Sequence, residues 1–158
     1  MAERCVGLVV SASDVTVVDT MIPDDAAAPV ILLMDDTWKL ATGDRSQAYN
    51  TLAQRCSAYL RDNDVSQVVI KSSTLPQGGG AKIALLEGAE LRGVIMGAAA
   101  SVCNTKSVNK STISRSYGRK VDECVQDDSF WDEKVEGGKL RKGSREAAML
   151  VVSHRGKA

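Results

Sequence analysis

The chain has 158 residues, a length that fits one domain, spanning 1–158, around a single hydrophobic core. Hydrophobic residues make up 44% of it and charged residues 25%, a globular composition that excludes long intrinsic disorder. The 20 basic and 20 acidic residues cancel, so the net charge attracts neither nucleic acid nor an anionic membrane, and any such binding must come from local clusters.

Three short β-strands are predicted at the start of the chain. Val6–Val10 and Val15–Asp19 are β-branched runs separated by turn-forming residues, a pattern typical of a hairpin. Val30–Met34 is predicted to be a third strand, closed by Asp35 and Asp36. Three consecutive strands indicate an antiparallel meander.

A helix and a buried strand follow the meander. Apolar residues recur at helical spacing between Ser46 and Arg61, and Ser46 is predicted to be the N-cap of this helix. Gln67–Lys71 has an apolar centre and is predicted to be a buried strand. Because a helical crossover joins parallel strands, we expect it to run parallel to the first strand.

The second half of the chain is predicted to begin and end with a helix. Pro76–Gly80 opens a helix that runs to about Ala100, and its glycines and alanines indicate close packing against a sheet or another helix. Thr105–Val108 is predicted to be a fifth strand. Residues 109–143 form a polar insert with separate basic and acidic parts, and Ser144 then caps the final helix.

The four cysteines do not form a metal-binding pattern. No Cys-x-x-Cys pair is present, and the chain has one histidine, His154. We therefore expect no zinc site and buried free thiols, at Cys5, Cys56, Cys103 and Cys124. The start of the chain has no signal-peptide hydrophobic region, and no apolar run approaches the ~20 residues that cross a bilayer. These features predict a protein of the reducing cytoplasm that does not enter a membrane.

The order of the predicted elements, βββαβαβα, resembles the RNase H-like fold of RuvC-type nucleases. Three local motifs are similar to motifs of that family. They are Gly7-Leu8-Val9 on the first strand, Glu87–Gly93 on the second helix and Glu146–His154 on the terminal helix. The resemblance implies an α/β fold with a mixed five-stranded sheet flanked by helices. It also implies that the second helix can take part in a homodimer.

Most of the catalytic acids of that family are missing here. The resemblance puts Val9, Lys71 and Gly143 at acid positions and leaves Glu146 as the remaining acid. Nucleases of this family cut phosphodiesters with two divalent metal ions, which need several converging carboxylates. We therefore predict no catalytic residue, no metal site and no cofactor. Lys71 would be a cation that can meet a phosphate.

The segment 104–120 is basic and contains no acid. Its cations and hydroxyl groups are suited to contact phosphates, and Tyr117 can stack on a base. A solvated loop explains the same composition, and the acidic residues between 122 and 136 can neutralise the basic ones. The residues predicted to contact nucleic acid are Lys71, Lys106, Lys110, Arg115, Arg119 and Lys142.

Three hypotheses for function follow from these patterns. The first is a catalytically degenerate RuvC-like domain that acts as a nucleic-acid-contacting or oligomeric scaffold, with nucleic acid, a second copy or another protein as its partner. The second is an active nuclease whose acids have moved, using Glu146 with Asp14, Glu87 or Glu90. The third is a module that binds only proteins, in which the basic segment has no role.

Overall fold

One mixed sheet with helices on both faces organises the computed structural model, which describes residues 2–76, 78, 80 and 82–156. In chain order the strands are β1 (Glu3–Val10), β2 (Asp14–Ile22), β3 (Val30–Lys39), β4 (Gln67–Lys71), β5 (Asn104–Val108) and β6 (Val135–Glu136). The helices are α1 (Arg45–Asp62), α2 (Ile83–Ala100), α3 (Lys110–Tyr117), α4 (Val121–Gln126), α5 (Asp128–Lys134) and α6 (Arg145–Arg155). A 3-10 helix, Lys142–Ser144, leads directly into α6.

The strand pairing confirms the predicted meander and crossover. The strand order is β5-β4-β1-β2-β3-β6, with antiparallel pairing from β1 to β3 and parallel pairing of β4 with β1. The sheet has six strands instead of the predicted five, because Val135 and Glu136 pair in parallel with the start of β3. A strand of 2 residues is too short to show an alternation in the sequence.

The third strand is longer than the sequence pattern predicts. Asp35 and Asp36 do not close it, and the strand continues to Lys39. Asp35 lies opposite Val18 and Asp36 lies opposite Val17 on β2. Pairing with a long neighbouring strand therefore outweighs the low strand propensity of aspartate.

The helix caps differ in detail from the prediction. Asp44, not Ser46, is the N-cap of α1, and its carboxylate accepts hydrogen bonds from the backbone N of Ser46 at 3.1 Å and from the Ser46 hydroxyl at 2.9 Å. Aspartate and serine are both favoured caps, so the sequence left the choice open within two residues. Ser144 occupies the predicted N-cap position of α6, but its hydroxyl donates to Asp35 at 2.5 Å.

The glycines of α2 do not all pack closely. The helix begins at Ile83, and residues 77 and 79 of its predicted opening lie outside the described part of the chain. A Cβ on Gly88 would lie 3.5 Å from the backbone N of Ala12, which is an ordinary contact. A Cβ on Gly93 or Gly97 would meet nothing within 4 Å among the described residues. The small residues of α2 therefore leave part of its outer surface open.

Side chains alternate between two cores on opposite faces of the sheet. On β1, Val6 and Leu8 pack in the core that includes residues of α1 and α2, whereas Cys5 belongs to the core formed with α6. On β4, Ile70 lies on the α2 face and Val69 on the α6 face. This period of two decides which residues of β1 and β4 reach α6.

Helix α6 lies directly on β1 at Gly7. A Cβ at position 7 would lie 2.1 Å from the carbonyl oxygen of Ala147, so no larger residue fits without movement of the backbone. Glycine therefore allows the close approach of helix and strand. Because Glu146 directly precedes Ala147, this contact sets how near Glu146 comes to the sheet.

The polar segment 109–143 carries α3, α4 and α5 and contributes to the core beneath α6. Its buried side chains are Ile113, Tyr117, Val121, Cys124, Phe130 and Trp131. Each short helix buries two of them, and the polar residues between them hide this spacing in the sequence. Tyr117 is 3% exposed, so the prediction that its ring stacks on a base is wrong.

Two predictions for the whole chain concern its cysteines and the absence of a membrane-spanning helix. All the cysteines are free, with Cys5, Cys56 and Cys124 buried and Cys103 partly buried. Burial raises the pKa of the Cys56 thiol to about 12, so this thiol stays protonated and unreactive at neutral pH. No helix in the part of the chain that the structure describes is long and apolar enough to cross a bilayer.

Candidate functional site at the ends of β1 and β4

Two residues of the predicted site lie side by side. The parallel strands β1 and β4 pair in register up to Leu8 and Ile70, and Val9 and Lys71 are the next residues on each strand. Gly7 contacts α6, so Val9, two residues later, points to the same face. Lys71 also faces α6, because it lies two residues after Val69, which belongs to the core on the α6 face. The ends of the two strands thus converge beneath the start of α6.

Lys71 forms an ion pair with Glu146. Its ammonium donates a hydrogen bond to Oε1 of the carboxylate, and both side chains are half-buried. Glu146 lies in the first turn of α6, where the helix dipole favours a negative charge. The structure therefore brings together these two positions, which lie 75 residues apart in the chain.

The turn that contains Gly143 is held on β3 by an anchor that the sequence did not reveal. Asp35 on β3 accepts hydrogen bonds from the backbone N of Arg141 at 2.9 Å, from Nη2 of Arg141 at 2.7 Å and from the Ser144 hydroxyl at 2.5 Å. Burial disfavours the charged carboxylate, but these bonds outweigh it and hold the pKa of Asp35 below its usual value. Gly143 supplies no side-chain donor.

Solved structures of RuvC-type proteins match this chain over almost its whole length, although no protein-family model and no curated protein matches it significantly. RuvC from Thermus thermophilus is 10% identical, with a TM-score of 0.71 over 98% of this chain and 93% of that chain. T. thermophilus RuvC in complex with a Holliday junction substrate is also 10% identical, with a TM-score of 0.74 over 96% and 92%. The chain has an RNase H-like fold of the RuvC type.

A third RuvC-type structure supports the same fold. The yeast mitochondrial Holliday junction resolvase Ydc2 is 10% identical and matches with a TM-score of 0.69, covering 97% of this chain and 79% of that chain. The predicted resemblance is thus confirmed at the level of the fold, and the helices flanking a mixed sheet are as expected. At this identity the match says nothing about individual side chains.

The RuvC-type fold implies a two-metal centre that the residues present do not fit. Val9 has no oxygen donor, Gly143 has no side chain, and Lys71 places an ammonium against the remaining carboxylate, Glu146. Divalent magnesium and manganese prefer several oxygen ligands around each ion. Within the described residues, no group of three or more His, Cys, Asp and Glu side chains is arranged to hold a metal ion.

The acids considered as substitutes do not converge on Glu146. Glu87 forms an ion pair with Arg45 at 2.8 Å, and Glu90 lies one turn further along α2. Helix α2 packs on the opposite face of the sheet from α6. Asp14 lies at the start of β2, where it accepts a hydrogen bond from a turn serine at 2.9 Å. A carboxylate cluster around Glu146 would need a different packing of α2.

Lys110 adds a second cation to the charged site. Its ammonium donates to Oδ1 of Asp122 at 2.9 Å. That hydrogen bond, and to a lesser extent the charge of Glu146, raise the pKa of Lys110. The charges therefore alternate from Lys71 through Glu146 and Lys110 to Asp122.

Arg119 and Lys142, both predicted to contact nucleic acid, face acidic neighbours. Arg119 forms an ion pair with Asp127 at 3.5 Å and lies 5.4 Å from the ring centre of Phe130. Lys142 lies close enough to Asp128 to help lower the pKa of that carboxylate, after the hydrogen bond from Arg145. Acidic residues of the segment thus pair with Arg119 and lie near Lys142, in line with the alternative that the acidic and basic parts offset each other.

Lys106 and Arg115 are not held by acidic neighbours in the way that Arg119 is. Lys106 lies opposite Val69 in the parallel pairing of β4 and β5, so its side chain starts on the α6 face. Arg115 is exposed on α3 and forms no ion pair with another described residue. Of the cations predicted to bind nucleic acid, Lys71, Lys106, Lys110 and Arg115 thus share one face of the sheet. Whether they contact nucleic acid stays a prediction.

A second feature beside the site was not predicted. A cleft of about 930 Å³, here called the α2 cleft, is lined by residues 11–13 and 71–76, by Lys82 and by the first half of α2. Arg92 lies in it, within the motif 87–93 that resembles the RuvC-type family. In the sequence, that motif was the one sign of a site here. The cleft itself could not be predicted, because its residues come from three separate parts of the chain.

Proposed function

We propose that this chain is a catalytically degenerate RuvC-like domain that contacts nucleic acid and does not cleave it. The ion pair between Lys71 and Glu146 carries the proposal, because it puts a cation where a metal-dependent nuclease needs a ligand. The matching structures are, by their names, a RuvC bound to a Holliday junction substrate and a Holliday junction resolvase. Branched DNA is therefore the first nucleic acid to test.

The charges around Lys71 favour contacts with phosphates. A lysine ammonium has three donors, so Lys71 can bind a phosphate while it keeps its bond to Glu146. Lys110 lies near enough to Glu146 to interact with its charge, and the exposed Arg115 adds a further cation on the same face. Contacts of this kind hold a strand in place without reading its sequence. We expect salt-dependent binding with little sequence preference.

An oligomeric scaffold is a second candidate, supported by the open surface of α2. Gly93 and Gly97 have free space where a Cβ would lie, so close packing within the described chain does not account for them. Glycines in a helix interior cost stability, and a second helix approaching them would explain their presence. The partner would be a second copy of the chain or another protein. Sedimentation of the protein before and after Gly93→Leu measures this directly.

Binding of labelled DNA tests the nucleic-acid contact. Single-stranded, duplex and four-way branched DNA would be titrated between about 50 and about 200 mM salt, with wild type, Lys71→Ala and Arg61→Ala. Arg61 is an exposed cation at the far end of α1 and serves as the matched control for loss of charge. We expect affinity to fall with salt, and Lys71→Ala to weaken it while Arg61→Ala does not.

The same titration has outcomes that would reject the proposal. If the affinity is independent of salt, or equal in wild type and Lys71→Ala, the proposed contact of Lys71 with nucleic acid is wrong. If the wild-type protein cleaves any of these DNA forms in Mg²⁺ or Mn²⁺ and Glu146→Gln abolishes the cleavage, the domain is not catalytically degenerate. This second variant excludes a contaminating nuclease, because only an activity of this chain depends on Glu146.

A further inference from the structure

A small cavity lies at the end of α6 that is remote from the ion pair of Lys71 and Glu146. Its volume is about 200 Å³, and its polar lining comes from Tyr117 on α3, Lys134 on α5 and Arg155 on α6. Helix α6 has 11 residues, so its two ends lie about 16 Å apart. No carboxylate lines this cavity among the described residues, and it is here called the Tyr117 cavity.

Tyr117 is a buried residue whose polar group has no partner in the described part of the chain. The residue is 3% exposed, and its ring packs edge-on against Phe130 with the ring centres 6.1 Å apart. The hydroxyl makes no hydrogen bond to another described residue. Buried tyrosine hydroxyls usually have a partner, because an unpaired polar group in the interior is unfavourable. A ligand in the cavity would supply that partner.

The two cations of the cavity are weakly compensated. Lys134 has an acidic neighbour in Glu133, but the distance is 3.7 Å and the Glu133 side chain is 76% exposed, so this pair is weak. Arg155 forms no ion pair with another described residue and donates to the carbonyl oxygens of Asp25 and Ala28. Both acceptors are neutral, and a guanidinium with five N–H donors keeps some of them free.

Both cations also have a structural role. Lys134 and Arg155 lie in the last turns of α5 and α6, where the helix dipole favours a positive charge. Each helix end carries roughly half a negative charge, whereas each cation carries a full positive one, so the cavity remains positive. This role does not involve the Tyr117 hydroxyl. The unpaired hydroxyl therefore distinguishes a binding site from two cations that only stabilise helix ends.

All three polar side chains of the cavity act as donors at neutral pH. Burial is the main cause that raises the pKa of the Tyr117 hydroxyl, which stays protonated and can donate. The ammonium of Lys134 and the guanidinium of Arg155 can only donate. A ligand must therefore be negatively charged and rich in acceptors. The donors belong to three different helices, an arrangement that suits a tetrahedral oxyanion better than a flat carboxylate.

We propose that the Tyr117 cavity binds a phosphate-class oxyanion, held by Lys134 and Arg155 and by a hydrogen bond from the Tyr117 hydroxyl. The volume of about 200 Å³ lies below the range of sites for drug-sized ligands and fits a small ion. Hydrogen bonds to a charged acceptor are roughly twice as strong as neutral ones. Free inorganic phosphate and the phosphate group of a small monoester offer the same acceptors.

This site goes beyond the proposed function and does not depend on it. The proposed contact with nucleic acid involves Lys71 at the start of α6, whereas the oxyanion site lies at the end of that helix. A chain that binds no DNA could still bind an oxyanion, and the reverse also holds. The two proposals therefore fail separately.

Calorimetric titration of the full chain at neutral pH and constant ionic strength tests the site. The ligands are inorganic phosphate, methyl phosphate and acetate. We expect phosphate to bind at least roughly tenfold more tightly than acetate, because it offers an acceptor to each of the three donors. Equal binding of methyl phosphate identifies a monoester as the source, and weaker binding identifies the free ion. Phosphate that binds no more tightly than acetate would overturn the proposal.

Tyr117→Phe removes the hydroxyl and keeps the ring. We expect it to weaken phosphate binding by roughly tenfold. In the absence of phosphate the variant should unfold at the same temperature as wild type or a higher one, because an unpaired buried hydroxyl has been removed. This combination separates loss of a ligand contact from damage to the fold. Equal phosphate affinity in wild type and Tyr117→Phe would contradict the role of the hydroxyl and overturn the proposal.

Lys134→Gln tests the site without changing a buried residue. It should also weaken phosphate binding by roughly tenfold. Lys139→Gln removes an exposed lysine nearby in the chain that does not line the Tyr117 cavity, so it is the matched control and should leave the affinity unchanged. If Lys134→Gln and Lys139→Gln bind phosphate equally well, the proposal is wrong, whether or not Tyr117→Phe folds.

Discussion

The carbonyl oxygen of Ala147 lies 2.1 Å from the place where a Cβ on Gly7 would be, so α6 rests on the bare backbone of β1. This contact brings the first turn of the helix down onto the sheet. Glu146 thereby comes within hydrogen-bonding reach of Lys71 on the neighbouring strand. The Lys71–Glu146 pair depends on the absence of a side chain at position 7.

Gly7→Ala should destabilise the protein by about 3 kcal/mol or more, because the new methyl group meets a backbone atom that has no alternative rotamer. Urea unfolding followed by circular dichroism measures the change. Gly93→Ala is the matched control in an open helix position, where we expect a gain of about 0.5–1 kcal/mol. Equal stabilities of the two variants would show that α6 does not lie this close to β1.

Asp35→Asn should cost about 1–3 kcal/mol at neutral pH, since it weakens the bonds to Arg141 and Ser144. The folded pKa of Asp35 is lowered from its ordinary value of 3.8, so its contribution is fully present above that pH. The contribution falls as the pH drops below 3.8 and is lost below the folded pKa. Urea unfolding at a series of pH values should therefore show the variant and wild type converging in acid.

Asp36→Asn provides the comparison on the same strand. Asp36 is half exposed and lies 3.8 Å from Arg55, so we expect a cost near zero at neutral pH. A difference between wild type and Asp35→Asn that stays constant from neutral to acid pH would contradict the role given to the Asp35 charge.

Val9→Asp, Lys71→Glu and Gly143→Asp together should create a metal site with Glu146. The four carboxylates would converge at the ends of β1 and β4, where Mn²⁺ binding offsets their repulsion. We expect Mn²⁺ at roughly 100 times its dissociation constant to raise the free energy of unfolding of this variant by about 2.7 kcal/mol. Thermal unfolding with and without Mn²⁺ measures the effect.

The control for this variant carries Glu146→Gln in addition. Loss of one ligand should weaken Mn²⁺ binding, while the other acids stay in place. If Mn²⁺ stabilises neither protein, the positions do not converge as the ion pair of Lys71 and Glu146 indicates.

Arg115→Ala should weaken DNA binding more than Arg119→Ala. Arg115 is exposed and unpaired among the described residues, whereas Arg119 is held by Asp127 and Phe130. Loss of one phosphate contact lowers the slope of log affinity against log salt by about 0.9 for duplex DNA. We expect that change for Arg115→Ala and almost none for Arg119→Ala. The reverse order would mean that the ion pair of Arg119 opens on binding.

Much of the fold could be predicted from local patterns in the sequence. The β-branched runs of β1 and β2 and the helical spacing in α1 are properties of neighbouring residues, so they survive without tertiary information. β6 and the end of β3 could not be predicted in this way. Both exist because a neighbouring strand pairs with them, and the partner of Val135 lies more than a hundred residues earlier in the chain.

The candidate site also has features that the sequence determines and features that only the tertiary structure decides. The sequence by itself determined which residue types stand at the positions that RuvC-type nucleases fill with acids, and that Lys71 carries the opposite charge. Only the tertiary structure decided that Lys71 meets Glu146, that Asp35 anchors the turn at Gly143, and that Arg92 lies in a cleft without a counter-ion. Residue identity is local, whereas ion pairing and burial depend on which distant segments the sheet and α6 bring within a few ångströms.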